Sequence, residues 1–434
     1  MPQNVVSPKK RSVFAWCMYD WANSAFATTV LAGFFPVFFK SFWNTGVDTS
    51  VSTAHLGFAT TIGGLCVALF SPILGSFADA GRAKKMFLFF FVVLGAGMTA
   101  SLYTIPCGHW IAALVLFVFA DLSFSYGNLF YDSLLPDVAT PRTMDFVSSL
   151  GYALGYVGGG LLFLVNVLMV MHPAWFGLSG ISAAIRMSFV TVAVWWFVFS
   201  IPLFVFVREP RRATRVSYIR IVPEGFKRLA ATGKAIAGNT PLLLFLAAYW
   251  LYIDGVYTFI RMAVDFGLSI GLSSSSLMVS LLVVQFVAFP AALGFGKLAN
   301  SVGTVKAILA GLVVYMLVCV FGAFTLHTQT GFMVYAAIVG MVQGGIQALS
   351  RSYFGKIIPP DESAEYFGFY NLVGKCSVIA GPFIVGVCAL VSRHAGASSD
   401  MAARIGMSSL VIFFLAGGLL FLSAEKARKR KEGV

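Results

Sequence analysis

The chain has 434 residues, 59% of them hydrophobic and only 11% charged, with a net charge of +13. A water-soluble globular domain cannot hide that much apolar surface, so the composition excludes the ordinary soluble classes and calls for lipid. The apolar runs are about 20 residues or longer, enough for an α-helix to cross ~30 Å of hydrocarbon, and runs such as 86–106 and 410–422 lack the period-two alternation of a membrane barrel.

Lys9, Lys10 and Arg11 precede the first run, 13–43, but Asp20 and Asn23 interrupt it, which favours a permanent helix over a cleaved signal. Further runs follow at 52–78, 86–106, 110–135, 146–171 and 183–207, then at 241–264, 275–297, 304–326, 331–357, 366–391 and 404–424. The expected fold is therefore all-α, with twelve transmembrane helices. With the N-terminus inside, 24 of the 30 lysines and arginines fall on the inner side, so the positive-inside rule puts both termini in the cytoplasm. This topology accounts for the positive charge, and no nucleic-acid partner is expected.

Helix 1 carries Asp20, Asn23, Ser24 and Thr28 along one side. Helix 2 ends in Gly75-x-x-x-Asp79, followed by Gly81 and Arg82. In helix 4, Asp121, Ser125, Asn128 and Asp132 are spaced 0, 4, 7 and 11, which keeps them within about 60° of arc. Glycines 151, 155, 158, 159 and 160 in helix 5 suit close helix approach. The segment 208–240 is the longest internal hydrophilic stretch; within it, 217–237 fits either an amphipathic helix on anionic lipid or a flexible basic linker. Helix 7 offers Asp254, Thr258, Arg261 and Asp265, helix 10 offers Gln343, Gln347, Ser350 and Arg351, and helix 11 offers Asn371 and Lys375 before a Gly381-Pro382 kink.

The two sets of six helices repeat one another. Gly75 and Asp79 correspond to Gly296 and Asn300 at an offset of 221, and Pro136, Gly151 and Gly158 correspond to Pro359, Gly374 and Gly381 at an offset of 223. The expected organisation is an N-terminal bundle at 1–207, a basic loop at 208–240, a C-terminal bundle at 241–425 and a basic tail at 426–434. Six plus six helices in parallel repeat is the plan of the major facilitator superfamily.

Four stretches carry a closer resemblance: Tyr19-Asp20-Trp21-Ala22-Asn23-Ser24-Ala25-Phe26, Tyr252-Ile253-Asp254-Gly255-Val256, Gln347-Ala348-Leu349-Ser350-Arg351-Ser352, and Phe367-Gly368-Phe369-Tyr370-Asn371 with Gly374-Lys375. They resemble the autophagy-related vacuolar effluxer family of that superfamily, over roughly residues 13–425. The resemblance implies a twelve-helix carrier in which helices 1, 4, 7 and 10 line the pathway; export of amino acids from the vacuole is the function attributed to fungal members. The superfamily's loop motif after helix 2 is only loosely matched, with Ala80 where a basic residue is usual and Gly81 one place early. Gly75, Asp79, Arg82, Gly296 and Asn300 are the expected cytoplasmic gate, with Asp79 accepting hydrogen bonds from a helix N-terminus or an arginine.

Aspartates inside apolar helices cost about 2.5 to 3.5 kcal/mol each near the helix centre, so they should face water or one another. The expected substrate or proton pathway comprises Asp20, Asn23, Asp121, Asn128, Asp132, Asp254, Thr258, Arg261, Gln343, Gln347, Arg351, Asn371 and Lys375. Lys375 should pair with Asp254 or Asp20, as a switchable contact or as a permanent one that fixes packing. A secondary transporter of a small polar solute, coupled to protons or passive, fits these features. The alternative is a membrane enzyme acting on a lipid-linked substrate, which would show an ionisable cluster at one membrane face. No cofactor and no metal are implied: the six cysteines form no C-x-x-C pair and the five histidines no i, i+4 pair. A monomer in a bacterial inner membrane, with lipids as its surroundings, completes the expectation.

Overall fold

A computed structural model of the chain describes residues 10–209, 218–269, 272, 274–322, 325–326, 328–377 and 380–433. Of the positions singled out above, Lys9, part of the segment 208–240 and the side chain of Asp265 lie outside the described residues. Among those described, all regular structure is helical, and twelve spans are long and apolar enough to cross a membrane. These are α1 (Lys10–Trp43), α2 (Val51–Gly81), α3 (Lys84–Thr104), α4 (Trp110–Ser133), α5 (Met144–Met171), α6 (Ile181–Phe206), α7 (Thr240–Ala263), α8 (Val279–Val302), α9 (Thr304–Gly322), α10 (Gln329–Ile357), α11 (Pro360–His394) and α12 (Asp400–Glu432). Large apolar side chains point outward from them, Phe58 at 70% exposure and Phe383 at 69%. Only hydrocarbon can cover such a surface, and the protein is an integral membrane protein.

The chain forms two compact units. The first holds residues 1–141, 154–229 and 358–371; the second holds 142–153, 230–357 and 372–434. Inside the first, α1 packs on α6, α2 on α4, and α3 on both α4 and α6. Inside the second, α7 packs on α12, α8 on α10, and α9 on both α10 and α12. Each unit thus has the same neighbour scheme six helices apart, the structural counterpart of the glycine and proline offsets in the sequence.

Small residues set the closest approaches. In the first unit, the α5 glycines meet α1 backbone to backbone: a Cβ on Gly158 would lie 2.5 Å from the Trp21 carbonyl oxygen, and one on Gly159 would lie 2.9 Å from that of Ser24. The Trp21 indole is itself stacked on Trp195 of α6, whose Nε1 donates to the Trp21 carbonyl at 3.2 Å. Neither side can yield, so a Gly158→Ala variant should lose about 1 to 3 kcal/mol through overpacking, read as a lower melting temperature in detergent.

The wide turns of α1 at Phe26–Phe34 and Phe39–Trp43 are π-helical. They turn Phe35, Phe38, Phe39 and Trp43 into a buried aromatic cluster in which Phe35 stacks on Phe117 of α4 at 3.9 Å. Beyond α6, Tyr218–Ala237 is a helix. Gly225 lies against Phe77 of α2, and its carbonyl accepts a hydrogen bond from Ser76; of the two readings of this basic segment, the helix is the one observed.

Candidate functional site

The α1 and α4 stripes meet in the first unit. The Tyr131 hydroxyl donates to Asp20 Oδ2 at 2.7 Å, and Asn23 Nδ2 donates to Asn128 Oδ1. Asp20 is 8% exposed and Asn23 3%, so these polar groups are turned from lipid and satisfied by one another, as their desolvation cost requires. Trp16 stacks on the Tyr131 ring at 4.3 Å and donates its Nε1 to the Tyr131 carbonyl at 3.0 Å, fixing the phenol that holds Asp20. Asp132 is half-buried and partnered. Asp121, at the far end of the stripe, lies beside Gly63 of α2. Ser24 and Thr28 belong to a different contact: the Thr28 hydroxyl donates to the Ser24 carbonyl at 2.9 Å and lies 3.3 Å from that of Gly159, on the α5 side.

In the second unit Asp254 is fully buried. Its Oδ1 accepts from Thr258 Oγ1 and its Oδ2 from the Gly381 backbone N–H, both at 2.9 Å. The described helical segments of α11 are Ser363–Cys376 and Ala380–His394, and the Asp254 carboxylate binds a backbone amide of the second. A Cβ on Gly381 would lie 2.1 Å from Thr258 Oγ1, which leaves room there only for glycine. An Asp254→Ala variant leaves the buried Gly381 amide without its acceptor; a loss of about 1 to 3 kcal/mol follows for each orphaned donor, measured by thermal unfolding.

Lys375 lies in the first of these segments, half-buried. Among the described residues its ammonium makes no ion pair and no hydrogen bond, since Asp254 is committed to the α11 amide. Gln343 and Gln347 on α10 are likewise half-buried with no side-chain hydrogen bond among the described residues. Arg261 is exposed. Ser350 is tied to Tyr252 of α7 at 2.7 Å.

The ends of the helices carry two denser clusters. In the first unit, Asp79 Oδ2 accepts from the backbone N–H of Glu365 at 2.8 Å, so the α2 carboxylate sits on the N-terminus of the α11 helix Ser363–Cys376. A Cβ on Gly75 would lie 2.2 Å from the Ala364 carbonyl oxygen, and one on Gly368 would lie 2.7 Å from that of Ser71; glycine on each helix permits this crossing. Lys84, 5% exposed, lies 3.7 Å from Asp79, 3.4 Å from Asp137 and 2.6 Å from Ser363 Oγ, which in turn donates to the Ser133 carbonyl. Burial pushes the Asp137 carboxyl above the usual carboxylate range, against the pull of the Lys84 ammonium. Glu209 accepts the first amides of α3, at Lys84 and Lys85. Arg82 adopts the left-handed backbone, φ +50°, where the superfamily pattern would place its glycine. Asn371 of α11 donates to the Ser125 carbonyl of α4 at 3.2 Å.

In the second unit the corresponding cluster centres on Asp145, at the start of α5. It binds Lys356 Nζ at 2.5 Å and Thr304 Oγ1 at 2.8 Å, and also accepts from Ser352 Oγ. Arg351, 2% exposed, belongs here: Nε donates to Ser148 Oγ and NH2 to the Ser148 carbonyl, both at 2.9 Å, and the guanidinium lies 4.4 Å from the Tyr152 ring centre. A Cβ on Gly296 would lie 2.9 Å from Ser149, so α8 approaches α5 as α2 approaches α11. Asn300 is exposed and makes no side-chain hydrogen bond among the described residues. Asp145, Lys356, Lys84, Asp137 and Ser363 were not singled out in the sequence, because each sits at a helix end where an acid or a lysine reads as an ordinary solvated residue. Their one available signal is the repeat itself: the neighbourhood of Gly296 has no acid on its own helix, so its cationic partner needs one from elsewhere.

The family model "vacuole effluxer Atg22 like" matches residues 8–434. The uncharacterized MFS-type transporter YxiO of Bacillus subtilis is 40% identical over 405 residues, covering 93% of this chain and 92% of that protein. Autophagy-related protein 22-1 of Aspergillus fumigatus is 28% identical over 265 residues, 56% of this chain and 43% of that protein. Among solved structures, the major facilitator superfamily proton:xylose symporter XylE superposes with a TM-score of 0.66 at 12% identity, covering 96% of this chain and 94% of that one. With its twelve spans and repeated helix neighbours, the chain belongs to the Atg22-like vacuole effluxer family of the major facilitator superfamily.

Proposed function

We propose that the protein is a secondary transporter of a small polar solute, an amino acid or a similar zwitterion, working by alternating access in a bacterial inner membrane with both termini in the cytoplasm. The observation that carries this reading is Lys375: an ammonium within a membrane span, half-buried and with no carboxylate partner among the described residues. Such a charge is costly in lipid, and an anionic group of the solute would stabilise it. On the same unit, the side-chain amides of Gln343 and Gln347, without a hydrogen bond among the described residues, suit the remaining polar atoms of a zwitterion. The first unit, taken by itself, holds its own polar group of Asp20, Asn23, Asn128 and Asp132, with Asp121 further along the α4 stripe. The Asp79 and Asp145 clusters serve as the cytoplasmic gate, holding α11 to α2 and α5 to α8 and α10. Asp20, which accepts from the Tyr131 phenol beside the α4 stripe, is the candidate for proton coupling, whereas Asp254 is engaged by the α11 amide. Kinship with an MFS-type transporter and a fold shared with a proton symporter support the class.

The test has two stages. Purified protein is screened by thermal shift against amino acids, peptides, sugars and nucleosides, where a ligand at 100 times its Kd stabilises by about 2.7 kcal/mol. The solute that shifts melting is then followed as a radiolabel in proteoliposomes, with and without an imposed pH gradient. Accumulation driven by the gradient supports coupling; equilibration alone identifies a facilitator; conversion to another compound would favour a membrane enzyme.

A further inference from the structure

We infer that the second unit carries a binding site for the phosphate headgroup of an anionic phospholipid, at the ends of α7, α9, α10 and α12. A cavity of about 960 Å³ opens there. Its cationic lining is Lys306, Lys356, Arg428, Lys429 and Lys431, against Glu425 and Glu432 among the described residues. Those two carboxylates are already spent on one guanidinium: Arg428 binds Glu425 at 2.9 Å and Glu432 at 3.1 Å, and Tyr353 donates to Glu425. Lys356 is held by Asp145. Lys306, Lys429 and Lys431 remain, exposed and without an ion-pair partner among the described residues. Three ammonium groups without an ion pair among the described residues, around one cavity, favour a multiply accepting anion. The start of α9 adds to this: Gly303 enters it at φ +95°, no side chain caps it, and Val305 and Lys306 of its first turn line the same cavity.

The other half of the lining decides in favour of a lipid over a soluble phosphate. Leu242, Val302, Val305, Leu309, Ile357 and Leu422 line the cavity, and Val302 and Leu422 are 42% and 41% exposed on transmembrane spans. A headgroup would reach the lysines while its acyl chains stayed along this apolar wall. Basic pockets between helices at the membrane surface suit such ligands.

The test uses the full chain in detergent, titrated with phosphatidylglycerol or phosphatidylcholine and followed by native mass spectrometry and thermal shift. Saturable binding of phosphatidylglycerol is expected, at least about tenfold tighter than phosphatidylcholine. The triple variant Lys306→Gln, Lys429→Gln, Lys431→Gln should lose that preference. A control with the same charge change outside the cavity, Lys297→Gln, Lys426→Gln, Arg430→Gln, should keep it. Equal loss in both variants would reduce the effect to general surface charge and overturn the site, as would an unaltered preference in the first. Inorganic phosphate is the third arm: if it alone gives the same shift, abolished by the cavity variant, the ligand is soluble phosphate and the lipid assignment falls.

Discussion

Replacing Lys375 with alanine is expected to reduce solute flux in proteoliposomes to background while leaving the melting temperature almost unchanged. The two halves of this result have separate causes. A charge-assisted contact to a solute carboxylate contributes about 2 to 3 kcal/mol, so its removal weakens binding roughly 30- to 150-fold. Stability is spared because Lys375 has no ion pair to break among the described residues and is only half-buried. Were the lysine instead part of a permanent structural pair, its loss would orphan a buried carboxylate and lower the melting temperature by several degrees. Full flux in the variant would remove Lys375 from the pathway.

The largest effect on stability is expected at Asp145. Its carboxylate, 5% exposed at the side chain, receives an ammonium and two hydroxyls. An Asp145→Ala variant leaves the Lys356 ammonium, 21% exposed, without its counter-charge, a change that costs about 3 to 5 kcal/mol when one partner of a buried pair is removed. The double variant Asp145→Ala, Lys356→Ala should recover much of that loss, because no lone charge remains. A double-mutant cycle of melting temperatures measures the coupling; strict additivity would mean that the two groups do not depend on one another. In transport, both variants should leak or stall, since the contact between α5 and α10 is the gate in the proposed mechanism.

Helix count, span limits and the repeat follow from the apolar runs and the glycine and proline offsets, and the spans observed differ from those expected by only a few residues at most ends. The exception is α12, where the basic tail continues the helix to Glu432 because Arg428 bridges Glu425 and Glu432 at helical spacing. The Asp20, Asn23 and Asn128 stripe was legible because 3.6-residue periodicity fixes which residues share a face. Asp79 at a helix N-terminus was also expected, as one of two possible acceptor arrangements.

What each polar group touches was not legible. Asp254 and Lys375 look like a natural pair in the sequence, one acid and one base in apolar spans, yet the acid instead accepts from Thr258 and the Gly381 amide. Arg351 lies in the Gln347 to Ser352 string but is held at Ser148 and Tyr152. Asn300 matches Asp79 by offset, while the acid in the corresponding cluster is Asp145, on another helix.

The sequence by itself determined the membrane, the twelve helices and their two-fold repetition, since each follows from the cost of placing backbone and charge in hydrocarbon, a local property of the chain. Only the tertiary structure decided which carboxylate meets which cation and which lysine is left over. Those outcomes depend on ångström-scale approaches between helices distant in sequence, set by glycines whose partners no spacing rule can name.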